Sequence, residues 1–218
     1  MPRHFSRSRT SLPSAPLKFE RQVWKKGYRF IAGLDEVGRG CLAGPVFAGV
    51  VIFSPETRIR GVTDSKLLSP SKREILSQQI REKALAWAIA SVEAEEIDSI
   101  NIHHASLLAM KKAVEIISQN SGLKPDYLFI DGKFTLSLET HQRALVNGDR
   151  LSHTIAAASI LAKVSRDALM RKLHLQYPHY GFDEHKGYAT LKHREAIKRH
   201  GLTPLHRRTF CKNFTSDF

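Results

Sequence analysis

The chain has little cysteine: 2 residues in 218, Cys41 and Cys211, far apart and with no CxxC. That excludes a disulfide scaffold and a paired-cysteine zinc site, and it fits a reducing compartment, so a cytoplasmic protein is expected. Long apolar runs are missing too. Nothing approaches the roughly 20 residues needed to span a bilayer, and the N-terminus lacks the apolar segment of a secretory signal, so no membrane association is expected. Acids are scarce as well. Residues 1–18 (MPRHFSRSRTSLPSAPLK) contain none. Their Ser, Arg and Pro content suits an organelle transit peptide or, more simply, a disordered basic tail, which is the expected state. Over the whole chain 34 Lys+Arg face 21 Asp+Glu, a net charge of +13 with a pI near 10.0. Such a field draws polyanions, nucleic acid first among them, although a merely soluble basic protein would carry it equally well.

What is present is ordinary globular material, 42% hydrophobic and 25% charged, enough for one substantial core and one compact domain with appendages. Residues 30–35 are a short apolar run around Gly33 and read as a first strand. Turn chemistry at Asp35-Glu36-Val37-Gly38-Arg39-Gly40 separates it from a β-prone run at 45–53. Ser69-Pro70 opens a helix to about Ala84 as N-cap and first-turn proline. A third strand is expected at 87–94. Asn101 caps a helix whose apolar residues recur at 105, 108, 109, 113, 116 and 117 and which Gly122 ends. Tyr127–Asp131 is a continuous apolar run closed by an acid, the mark of a strand buried on both faces. A short strand at 143–147 leads to Gly148-Asp149, and Ser152 caps a long helix to about Leu175. From 185 to 212 there are eight Lys/Arg and one acid, Glu195. A helical stretch so short of acids reads as a face for nucleic acid rather than a solvated surface. The resulting division is a basic tail at 1–18, a catalytic α/β domain at 19–184 and a basic helical segment at 185–218.

Four acids stand out by position. Asp35 and Glu36 end the first strand, Asp131 ends the fourth, and Asp149 follows a glycine just before a capped helix. In open α/β sheets, sites form beyond the carboxyl ends of the strands, so the first and fourth strands must be neighbours for Asp35 and Asp131 to meet. Adjacent strand residues point to opposite faces. Regular pleating must therefore stop at Asp35-Glu36 if both are to share a site, and Gly38 and Gly40 offer the freedom for that. Three or four clustered carboxylates cannot all stay ionised without cations between them. Oxygen-only ligands select Mg²⁺ or Mn²⁺, and two such ions roughly 4 Å apart suit in-line cleavage of a phosphodiester. Taken alone, Asp149 reads as a residue of the helix start, and it is the set of four that points to a site. Cys41 has no recognisable His/Asp arrangement beside it, so a cysteine hydrolase has little support.

Several blocks carry a resemblance. Gly33-Leu34-Asp35-Glu36-Val37-Gly38-Arg39-Gly40-Cys41-Leu42-Ala43-Gly44-Pro45-Val46 resembles the opening signature of bacterial ribonuclease HII. Asp64-Ser65-Lys66-Leu67-Leu68-Ser69, Phe129-Ile130-Asp131-Gly132, Asn147-Gly148-Asp149 with residues 155–167, His185-Lys186-Gly187-Tyr188 and His206-Arg207-Arg208-Thr209-Phe210 resemble its later blocks, in order, from about residue 29 to 212. The resemblance implies a ribonuclease-H-like mixed sheet of five strands ordered 3-2-1-4-5, with helices on both faces and a basic helical C-terminal segment. It implies an endoribonuclease that cuts the RNA strand of RNA–DNA hybrids, and duplex DNA carrying single ribonucleotides, by two-metal-ion catalysis with Mn²⁺ or Mg²⁺. Asp35, Glu36, Asp131 and Asp149 match the family's metal-binding acids. Gly38-Arg39-Gly40 matches the segment that reads the ribose 2′-hydroxyl, and Tyr188 the tyrosine that stacks at the RNA–DNA junction. Lys66 and Lys163 match basic positions near the phosphates. Asn147 departs from the lysine many relatives carry there, which removes one phosphate contact. A monomer is expected. The alternatives are the sibling ribonuclease HIII and a non-catalytic basic RNA-binding protein, in which four grouped acids would repel the phosphates.

Overall fold

In the computed structural model the described residues are 13–214; positions 1–12, most of the expected tail, and 215–218 lie outside them. Five strands make one sheet: β1 (Ile31–Val37), β2 (Val46–Ile52), β3 (Ala86–Val92), β4 (Tyr127–Asp131) and β5 (His141–Leu145). Their order is β3-β2-β1-β4-β5, as expected. The β1–β2 and β2–β3 pairs are antiparallel, and β1–β4 and β4–β5 are parallel. The helices are α1 (Lys18–Trp24), α2 (Pro70–Lys83), α3 (Ala94–Ser121), α4 (Gly148–Leu151), α5 (His153–Gln176), α6 (Phe182–His185), α7 (Leu191–His200) and α8 (Arg208–Cys211). Among the described residues no helix is long and apolar enough to cross a membrane.

The period-2 alternation of β2 divides the core. Val46, Ala48, Val50 and Ile52 pack on α3, and Val51 joins α2 and α5 on the opposite face. Helix α5 lies close to the sheet because β1 and β2 have glycines where it crosses. A Cβ on Gly33 would stand 2.2 Å from the Thr154 carbonyl carbon, and one on Gly49 2.5 Å from the Ala158 oxygen. The Ala156–Ala158 stretch of α5 is small for the same reason.

Local signals held where the chemistry is local. Ser69 Oγ accepts from the Lys72 N–H and Ser152 Oγ from the Ile155 N–H, while Gly122 ends α3 at φ +69°. Asn101 caps as expected, its Oδ1 accepting from the His103 and His104 N–H groups at 2.9 and 3.2 Å. It does so inside a longer kinked helix, however, because residues 94–100 are already helical. That corrects the expected third strand, which ends at Val92.

One further expectation is corrected. Part of the 1–18 stretch is packed: Ser14 Oγ accepts from Gly61 N–H at 2.7 Å, the Ala15 N–H donates to the Val62 carbonyl, and the His153 N–H to Pro16. Ala15 and Leu17 are buried. Helix α1, not anticipated, follows at once and places Glu20 fully buried at the start of α5. There Glu20 Oε1 accepts from Ser152 Oγ, the Thr154 N–H and Thr154 Oγ1, satisfying donors that a helix start leaves open. The basic stretch after 185 is helical, in two short helices, α7 and α8, folded back onto the chain. Phe182, Ala196, Ile197 and Cys211 pack against Leu42, Ala43 and Met170.

Candidate active site

The site lies at a fork in the sheet. Strand β1 keeps its regular pairing to β2 through Asp35↔Gly49, Glu36↔Ala48 and Val37↔Phe47, so pleating does not stop at Asp35-Glu36, contrary to expectation. What stops is the parallel pairing to β4, whose last register pair is Leu34↔Ile130. Asp35 and Asp131 are the next residues on the two strands, and Glu36 follows Asp35 on β1. One carboxylate oxygen from each of Asp35, Glu36 and Asp131 lies within 4.8 Å of the others. Asp149 reaches the neighbourhood from α4, which begins because Asn147 turns the chain left-handed at φ +56°.

Burial lifts the Asp35 carboxyl well above the usual carboxylate range, and the charges of Glu36 and Asp131 push the same way. Glu36 is raised by burial against the pull of Arg39, whose Nη1 is 3.2 Å from its Oε1. Asp131 is raised by burial although it accepts the Gly148 N–H. Asp149 is pushed up to about 6 by burial and by the charges of Asp64 and Asp131. Four carboxyls that resist ionising together form a set that a hard, oxygen-seeking divalent cation would satisfy. The donors fit such an ion.

The sign of this strain is testable without substrate. A carboxyl with a raised pKa favours folding below the usual carboxylate range and loses that contribution as pH rises through about 6. In EDTA, Asp149→Asn is therefore expected to raise the melting temperature at pH 7.5, by the equivalent of about 1–3 kcal/mol, with little effect near pH 4. An equal shift at both pH values would contradict this origin.

Asp64, which the sequence presents only as part of a motif block, belongs to the site's frame. It is buried and accepts from Arg150 Nε and Nη2 at 3.2 and 3.0 Å. Burial would raise its carboxyl, but the Lys66 N–H and Arg150 outweigh this and hold it low. Lys66 is exposed, and its charge also lowers Asp131 and Asp149, so it sits by the acids. Lys163 does not: its Nζ pairs with Asp167 at 2.7 Å and lies 5.8 Å above the Tyr188 ring.

The Gly38-Arg39-Gly40 turn is held from beneath by two fully buried arginines that sequence reasoning did not single out for the site. Arg166 donates to the carbonyls of Pro45, Lys186 and Ala43 at 2.9, 2.9 and 3.1 Å. Arg207 donates to Gly44 through Nε and Nη2 and to Arg39 at 2.8 Å. Arg207 thus leaves the basic face to which charge counting had assigned it. Gly38 needs its glycine twice over, at φ +94° and with Arg166 Nε 2.3 Å from where a Cβ would stand. Around Gly40 a Cβ would meet nothing within 4 Å, so that main chain is open to a ligand. Tyr188 lies across the same loop, bridged to Cys41, and is 40% exposed; it is not a core aromatic.

A family model described as Ribonuclease HII matches residues 32–213. The chain belongs to the ribonuclease HII family. Among curated relatives, Ribonuclease HII of Clostridioides difficile (strain 630) is 49% identical over 195 residues, 89% of this chain and 75% of that one. That of Solibacter usitatus is 52% identical over 191 residues, 88% and 82% of the two chains. Among solved structures, ribonuclease H2 from Pyrococcus horikoshii superposes with a TM-score of 0.71 at 28% identity, covering 86% of this chain and 97% of that one. Ribonuclease HIII, the sibling weighed above, is similar in fold alone: one such structure has a TM-score of 0.69 at 18% identity, covering 85% of this chain and 68% of that one. As a ribonuclease HII family member, this chain is a metal-dependent ribonuclease H, and the non-catalytic binder is set aside.

Proposed function

We propose that this ribonuclease H cuts on the 5′ side of ribonucleotides, including single ones embedded in duplex DNA, leaving 3′-hydroxyl and 5′-phosphate ends. The observation that carries the reading is the convergence of Asp35, Glu36 and Asp131 at the β1–β4 fork, each with an oxygen within 4.8 Å of the others. With Asp149 they would hold two Mg²⁺ or Mn²⁺ ions, which when bound would supply charge neutralisation at the scissile phosphate and a nucleophile at neutral pH. The protein's own part is to place the substrate. The main chain at Gly38-Arg39-Gly40 hydrogen-bonds the 2′-hydroxyl, the feature that separates RNA from DNA. The Tyr188 ring packs on the following deoxyribose, where an added hydroxyl would crowd it. Lys66 meets phosphate beside the acids, and Lys163 does so beside Tyr188. Such an enzyme, acting as a monomer in the cytoplasm, would remove misincorporated ribonucleotides and residual primers from DNA.

The test is cleavage of a DNA duplex carrying one ribonucleotide, with Mg²⁺ and Mn²⁺ in parallel and a continuous hybrid alongside. Cutting of the hybrid but not of the single ribonucleotide with either ion would overturn the junction reading. In the same assay Tyr188→Ala is expected to weaken substrate interaction by on the order of 1–3 kcal/mol and to erode the preference for the embedded ribonucleotide, with thermal stability little changed. A large fall in melting temperature with unchanged preference would assign the ring a packing role instead.

A further inference from the structure

Behind Tyr188 lies a pair of histidines that the catalytic scheme does not use. His193 and His206 are buried and burial pushes both down to about 4, so at neutral pH each ring carries one N–H. Their hydrogen bonds allow one order of protons. The Thr203 N–H donates to His206 Nδ1 at 3.0 Å, so the His206 proton is on Nε2. That Nε2 faces His193 Nε2 at 3.1 Å and must donate to it. The His193 proton is therefore on Nδ1, where it donates to the Tyr188 carbonyl at 2.9 Å. The main chain held in this way does not relax there unaided. Lys186 and Gly187 are both left-handed, at φ +53° and +85°, and a Cβ on Gly187 would stand 2.4 Å from the Ala43 carbonyl oxygen. A third ring steadies the other end of the dipeptide. His185 stacks on His193 at 4.4 Å and accepts the Gly187 N–H on Nδ1 at 3.1 Å.

We propose that His193 and His206 are positioning residues for Tyr188: a two-imidazole relay, ordered from Thr203, fixes the Tyr188 main chain and with it the angle at which the ring meets the substrate sugar. The inference rests on the reading of Tyr188 as the sugar-packing residue. The relay touches no substrate. It works by denying the strained 186–188 segment its other conformations, so its loss blurs sugar discrimination while leaving the carboxylate cluster in place.

Two substitutions of His193 separate this role from packing. Asn places an amide N–H where Nδ1 was and keeps the bond to Tyr188. Gln places its carbonyl near the old Nε2, keeping His206 satisfied while losing Tyr188. The readout is the ratio of kcat/KM on a single embedded ribonucleotide to that on a continuous hybrid. His193→Gln is expected to lower it about tenfold and His193→Asn to hold it within about threefold. In a Tyr188→Ala background His193→Gln is expected to change it no further. A folded His193→Gln protein with the wild-type ratio, or an equal loss in both backgrounds, would overturn the proposal. Tyr188→Ala with an unchanged ratio overturns instead the reading of Tyr188, and the sugar role of the relay falls with it. Should His193→Gln not fold, a long-range ¹H–¹⁵N spectrum of the unmodified protein decides: the proposal requires His193 as the Nδ1–H tautomer and His206 as the Nε2–H tautomer, and any other pair refutes it.

Discussion

Asp131→Asn is expected to lower turnover by at least about 10³-fold, a barrier increase of roughly 4 kcal/mol, while hybrid affinity stays within a few-fold of the unmodified protein. Asn matches the volume of Asp and its Oδ1 can still accept the Gly148 N–H, which Asp131 takes at 2.6 Å, so the β4 end and the α4 turn should keep their geometry. What is lost is the charge that a hard cation needs at the fork. Affinity survives because it comes largely from basic groups that meet phosphate, and removing one buried negative charge does not weaken those contacts. Turnover and hybrid binding are to be measured side by side, and near-native turnover would remove Asp131 from the metal site.

The other large effect is structural. Gly33→Ala is expected to cost more than about 4 kcal/mol of stability, because its Cβ would fall 2.2 Å from the Thr154 carbonyl carbon and 2.3 Å from the Ile155 nitrogen. Those are backbone atoms of the first turn of α5, so no rotamer change relieves the contact and the helix itself must lift from the sheet. Lifting it also draws Ser159, whose hydroxyl bonds the Asp35 carboxyl, away from the site. Gly40→Ala is the control: nothing stands within 4 Å of that Cβ, and the unfolding midpoint should not move. Urea unfolding of both variants is the measurement, and a Gly33→Ala protein as stable as the unmodified one would show that α5 has slack the packing does not indicate.

Which parts of the molecule were legible in the sequence follows the range of the forces involved. Ser69, Asn101, Gly122 and Ser152 mark helix ends through bonds to groups two to four residues away, so a linear reading finds them. The apolar run closed by Asp131 reveals a buried strand and its end, since burial on both faces leaves no other composition possible. The helical start at residues 94–100 and α1 were not legible. Neither has a strong cap or a clean apolar period, and α1 is held by Val23 and Phe19 packing against Phe129, more than a hundred positions along the chain.

The sequence by itself determined that strands carry Asp35 and Asp131, that the second of these strands ends at Asp131, and that a glycine turn follows the first, because apolar runs and turn chemistry are written within short windows; the sheet order came from the resemblance of the motif blocks to ribonuclease HII. Tertiary structure alone decided the rest. It showed that Glu36 joins the cluster while β1 keeps its pairing to β2, and that Asp64 is framed by Arg150 across 86 positions. It also turned Arg207 from a surface charge into a buried clamp and His193 and His206 into an ordered pair. The physical reason is common to all of these. A charge or an imidazole acquires its role from whatever desolvates it and supplies its hydrogen bonds, and for these residues those partners come from distant segments that only the folded chain brings together.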